Sequence, residues 1–137
     1  MAARALLMLG RTADARIEAD RAIALGRVQG DSRRVSAAYT LAAEAALMRC
    51  EDEEAAGLAR RGVVEMPSEA RAHATLAAAH ALAGRNAEAA AELAAFLKSW
   101  PTATVERYDY MARPAPDVLV QRERLYAGLR KAGLPER

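Results

Sequence analysis

The polar and apolar positions of this chain follow a pattern that recurs three times. Thr12-Ala13-Asp14-Ala15, Asp52-Glu53-Glu54-Ala55 and Asn86-Ala87-Glu88-Ala89 each open with a side chain suited to capping a helix, place a carboxylate in the first turn, and then turn to alanine. A capping oxygen accepts from the free N–H groups of the first turn, and the helix dipole favours negative charge there. Just upstream lie Gly10-Arg11, Cys50-Glu51 and Gly84-Arg85, and a glycine at such a point ends the preceding helix in the left-handed conformation. Downstream, Ala19, Ala59 and Leu93 correspond, as do Ile23, Val63 and Leu97, and Pro67 and Pro101 close the second and third units. Each unit predicts helix, tight turn, helix.

Composition supports an all-α fold. The 137 residues include 36 alanines, the strongest helix former, and only seven valines, two isoleucines and six aromatics to favour strands. Alanine at helix contacts allows axes to approach near the lower end of the usual ~8–10 Å. It buries little apolar area, so larger side chains must anchor the interfaces: Ile17, Ile23, Leu25, Tyr39, Leu41, Leu47, Leu58, Val63, Leu76, Leu93, Phe96 and Leu97. A single cysteine excludes an internal disulfide.

The three segments start 40 and 34 residues apart, and 34 is the length of a tetratricopeptide (TPR) repeat. The third unit reads His73-x2-Leu76-Ala77-x2-His80…Ala89-x3-Leu93…Pro101, and the second Tyr39-x2-Ala42-Ala43-x2-Ala46…Ala55-x3-Ala59…Pro67. Residues 1–101 resemble TPR repeats. The resemblance implies a right-handed superhelix of antiparallel helix pairs, with units at 1–30, 31–67 and 68–101 and a C-terminal helical extension at 102–137 ending in a capping helix. The first unit departs from the pattern. Its opening helix has only Met1–Leu9, it lacks the closing proline, and it carries six extra residues within Gly26–Asp31. It reads either as a capping repeat with a longer loop or, the favoured expectation, as the start of the C-terminal piece of a longer array.

In the extension, Thr102 is expected to cap a helix of about residues 103–111, and Arg113-Pro114-Ala115-Pro116 to break it. Asp117 would cap a last helix, with Val118, Leu119, Arg122, Leu125, Tyr126 and Leu129 at helical spacing and Gly133 and Pro135 ending it. The run Gly128–Glu136, together with Trp100-Pro101-Thr102 after the last repeat, resembles the end of TPR arrays in bacterial signalling proteins that carry a class III adenylate/guanylate cyclase or a winged-helix domain. Neither of those domains is present in this sequence, so neither activity is carried over.

Charge narrows the partners. The net charge is +2, with 18 arginines and two lysines against 18 acidic residues. No basic stripe with interleaved aromatics appears, so nucleic acid is not expected. No apolar run of about 18 residues is present to span a membrane. Arg4 followed by Ala5–Leu9 imitates a signal peptide, but the apolar run is about five residues against the usual ~7–15, and the cytoplasm is the expected location.

Nothing in the sequence assembles a catalytic constellation. His73 and His80 lie seven apart on one helix face, but a metal would need a further ligand. Glu51–Glu54 surround Cys50, and negative charge disfavours its thiolate. The same acidic run has no EF-hand spacing, and no P-loop or G-x-G-x-x-G occurs. A non-enzyme with no metal and no cofactor is expected. In TPR folds the first helix of each hairpin lines the concave face. By resemblance the partner-facing residues are Arg4, Leu7 and Met8; Thr40, Glu44, Leu47 and Met48; and Arg71, Ala74, Ala78, Ala81 and Leu82. The expected partner is a peptide or another protein domain, a second copy included. The alternative is a regulatory or oligomerising appendage whose last helix packs back on the stack.

Overall fold

A computed structural model describes residues 2–112 and 119–137, with the side chains of residues 109–112 and 119–121 outside the description. Eight helices and no strand occur among the described residues: α1 (Ala2–Met8), α2 (Thr12–Gln29), α3 (Ser32–Met48), α4 (Asp52–Glu65), α5 (Ala70–Leu82), α6 (Asn86–Ser99), α7 (Val105–Ala112) and α8 (Leu119–Ala132). The fold is all-α. Helices α1/α2, α3/α4 and α5/α6 pack as pairs, α2 also packs on α3 and α4 on α5, and the first helices of neighbouring pairs touch.

The sequence repeat is also a repeat of hydrogen bonds. At the first turn Gly10 N–H donates to Leu7 C=O at 3.0 Å and Arg11 N–H to Leu6 C=O at 2.9 Å. At the second, Cys50 donates to Leu47 at 3.0 Å and Glu51 to Ala46 at 2.9 Å; at the third, Gly84 donates to Ala81 at 3.1 Å and Arg85 to His80 at 2.8 Å. Nested bonds of this kind use up the last carbonyls of a helix and need a residue at positive φ. Gly10 (75°) and Gly84 (83°) supply it, while Cys50 adopts the same conformation at 62° despite its side chain. Pro67 and Pro101 likewise act alike: the residues before them, Met66 and Trp100, are forced to φ −148° and −140° and end α4 and α6.

Four expectations need correction. Thr12, Asp52 and Asn86 are the first helical residues rather than caps; the caps are Arg11, Glu51 and Arg85, with no side-chain cap bond. The tight turn explains this: the residue after the left-handed one enters the next helix at once, and its carbonyl accepts from Ala15, Ala55 or Ala89 at 2.9 Å. The carboxylates Asp14, Asp52 to Glu54 and Glu88 do fall in first turns. The six extra residues of the first unit do not form a long loop. They extend α2 to 18 residues, against 14 in α4 and α6, and leave a tight Gly30-Asp31 turn whose Asp31 carboxylate caps α3 at Arg34 N–H. Ile17 and Leu25 are half exposed, at 51% and 49%, so they do not anchor the core. The capping residue of α7 shifts as well, from Thr102 to Thr104, whose hydroxyl accepts from Arg107 N–H at 3.2 Å. The expected Pro114-Ala115-Pro116 break, the Asp117 cap and Val118 lie outside the described residues.

The core is built from alanine with a few large anchors. Ala72, Ala74, Ala77, Ala78, Ala79 and Ala81 of α5 are fully buried. Phe96 meets Trp100 and Tyr108 edge-on, each with ring centroids 6.0 Å apart. Such pairs contribute roughly 0.5–1.5 kcal/mol beyond area burial.

Candidate functional site: a groove holding the last helix

Helix α8 lies against α5 and α3, where it meets Glu44, Leu47 and Ala78 among the residues inferred to face a partner. It packs most extensively on α5, also against α3, and touches α6 and α7. The arginine that the sequence placed in an apolar stripe, Arg122, is fully buried beside Leu125, Tyr126 and Leu129.

At the centre is Glu44 of α3, 1% exposed. Arg71 of α5 grips its carboxylate with both ends of the guanidinium, at 2.8 and 3.0 Å, and Arg122 of α8 reaches it at 3.5 Å. Burial alone would push the Glu44 carboxyl up. The two guanidinium groups outweigh that and hold it below the ordinary carboxylate range. Burial opposes the charge of Arg71 too, and Glu44 overcomes it, so Arg71 is held firmly protonated. Arg122 also donates to the Tyr126 hydroxyl at 3.3 Å. One of its nitrogens, Nη2, is buried with no hydrogen-bond partner among the described residues, while the buried Tyr108 hydroxyl of α7 lies within reach of Thr75 and the Arg71 charge.

Two further contacts fix α8. Arg124 holds the Asp52 carboxylate with two hydrogen bonds, one of them at 2.9 Å, and reaches Leu47 C=O at 3.5 Å. Gly128 crosses α5 so closely that a Cβ built on it would lie 2.8 Å from both the Cβ and the carbonyl oxygen of Ala78. Real Cβ atoms essentially never approach so near; glycine permits the crossing.

Of the other inferred groove residues, Leu7, Leu47, Ala74 and Ala81 are fully buried and Thr40 is nearly so, its hydroxyl donating to Ser36 C=O at 3.0 Å. Met8, Met48 and Leu82 sit half-buried at the edge of the core. Arg4 is exposed and shares with Arg71, Thr40, Leu41 and Glu69 a hollow of about 300 Å³. Repulsion from Arg71, with burial adding to it, draws the Arg4 pKa below its usual value. Sequence reasoning did not assign Arg122, Arg124, Gly128, Asp52 or Tyr108 to this site. The one available signal was an arginine in register with the apolar stripe of α8.

The other chemistry-bearing residues lie elsewhere. His73 is held between the Glu92 carboxylate at 2.6 Å and the Pro67 carbonyl at 2.7 Å. His80 is 2% exposed and accepts from Arg85 at 2.9 Å; burial first, then the Arg85 charge, lowers its pKa. Cys50 is a free, exposed thiol. Among the described residues no group of three His, Cys, Asp or Glu side chains is placed to hold a metal, and no helix is long and apolar enough to cross a membrane. No family model matches the sequence, and no curated protein or solved structure is significantly similar to it.

Proposed function

We propose that this chain is a non-catalytic protein–protein interaction module of the TPR kind, acting in the cytoplasm through a concave face that receives a helix from a partner. The observation that carries the reading is the seat of α8. A helix lies against α3 and α5 with Arg122 on Glu44 and Gly128 on Ala78, which is the geometry of helix-in-groove recognition. The alanine floor and the buried Glu44, gripped by Arg71, suit such an occupant.

The same observation favours a second reading, a regulatory or oligomerising appendage whose own tail occupies the groove. One experiment separates them. The wild-type chain and Arg124→Ala, which loosens α8 from Asp52, are used to capture binding proteins, and light scattering gives the mass of each. The interaction reading expects the loosened variant to recover more of the same partners at unchanged mass. Equal recovery removes the groove as the partner site, and a change in mass instead supports oligomerisation.

A further inference from the structure

We infer that the groove selects its partner by three positions, and that the partner is a helix repeating the pattern of α8: an arginine facing Glu44, an arginine two residues on facing Asp52, and a glycine six residues on facing Ala78. This rests on the interaction-module reading and gives it a chemical specificity.

Each position has its own physical basis. Glu44 is buried and anionic, held so by Arg71; an occupant without a cation there leaves part of its charge unanswered in a dry site, and arginine is suited to the second side of a carboxylate already gripped once. Asp52 lies at the first turn of α4, half-buried, and takes two bonds from one guanidinium. At Ala78 the backbones approach so closely that any side chain on the occupant collides with backbone, which cannot yield. The spacing of the three is that of Arg122, Arg124 and Gly128, with Leu125 and Leu129 supplying the apolar contact at 1% and 0% exposure.

The fit of α8 is incomplete. Among the described residues it leaves Arg122 Nη2 buried without an acceptor. A foreign helix with the same three positions and an acceptor beside its arginine would satisfy the donor that α8 leaves open. That gives such a helix a means of competing with a tethered one, whose effective concentration is on the order of millimolar.

The test uses labelled peptides of residues 119–134 and the full chain carrying Gly128→Leu, which unseats its own α8. Fluorescence anisotropy should show the wild-type peptide binding this chain at least tenfold more tightly than it binds the wild-type chain. A peptide with Arg122→Ala should lose at least tenfold, and one with Gly128→Leu should not bind. If the Gly128→Leu chain does not fold, the Arg124→Ala chain serves the same comparison. Equal binding of all three peptides, or no binding to a folded variant, overturns the proposal. So does a wild-type dimer in sedimentation at micromolar concentration, which would assign the groove to α8 of a second copy. Failure of the peptide series leaves the capture experiment standing, so the specificity and the module reading fail separately.

Discussion

The two ends of the helical stack are finished differently. At the last hairpin α7 and α8 lie over the array, and Phe96, Leu125, Tyr126 and Leu129 are buried at 3% exposure or less. At the first hairpin, among the described residues, α2 packs on α1 and α3 and nothing comparable covers its other side. Of the five large apolar side chains that stand exposed among the described residues, Leu9, Ile17, Leu25 and Val28 belong to that unit. Helical hairpins bury their apolar faces by stacking on neighbours, so a covering element decides whether an apolar position stabilises the fold. The contrast shows that a leucine in this chain has no fixed worth; its worth depends on which end it occupies.

The largest test breaks the sealed side at its charged centre. Glu44→Ala removes the anion between Arg71 and Arg122 and leaves the buried Arg122 guanidinium beside the half-buried one of Arg71. A loss of about 3–5 kcal/mol is expected in urea unfolding. Next comes the same truncation at each end. Leu129→Ala, fully buried, should cost about 2–5 kcal/mol, while Leu25→Ala, at 49% exposure, should stay within about 0.5 kcal/mol. Equal losses would show that the open end is covered in solution. Between the ends, Cys50→Gly relieves a side chain at φ 62° and should stabilise by roughly 1 kcal/mol, whereas Gly84→Ala at the equivalent turn should destabilise by a similar amount.

The smallest effect is acid sensitivity at the third turn. Burial, with Arg85 beside it, lowers the His80 pKa in the fold, so the unfolded chain binds the proton more readily. Stability from this residue is therefore present above its ordinary value of 6.5 and lost as pH falls from there through the lowered folded value. Unfolding midpoints at pH 7.5 and 5.5 should differ more for the wild type than for His80→Gln. Glu44, also lowered overall, adds a second loss only as the pH falls below 4.5 and through its own folded value.

Much of this fold was legible because it is local. Three short patterns placed three turns, and their hydrogen bonds repeat to within 0.1 Å. The misread caps show the limit of local reading: a capping residue and a first-turn residue look alike in sequence, and the tightness of the turn decides between them. The site was less legible because its parts are far apart. Glu44 is 27 residues from Arg71 and 78 from Arg122, and no periodicity within one helix reveals a partner on another. Arg122 is the instructive residue. Its register with Leu125 and Leu129 marked it as inward-facing, but only the position of Glu44 explains how a buried arginine is tolerated. Ile17 and Leu25 failed for the complementary reason, since apolar character predicts burial only where a neighbour exists to provide it.

The crossing of Gly128 over Ala78 also sets the register of the last helix. Sliding a helix by one residue moves it about 1.5 Å along its axis and turns it by about 100°, which would bring Ala127 or Leu129 to the point where no Cβ fits. Small adjustments along the axis are therefore closed to α8. It can be lifted out as a whole, but it cannot creep, and the stack behaves as a lock with a single notch.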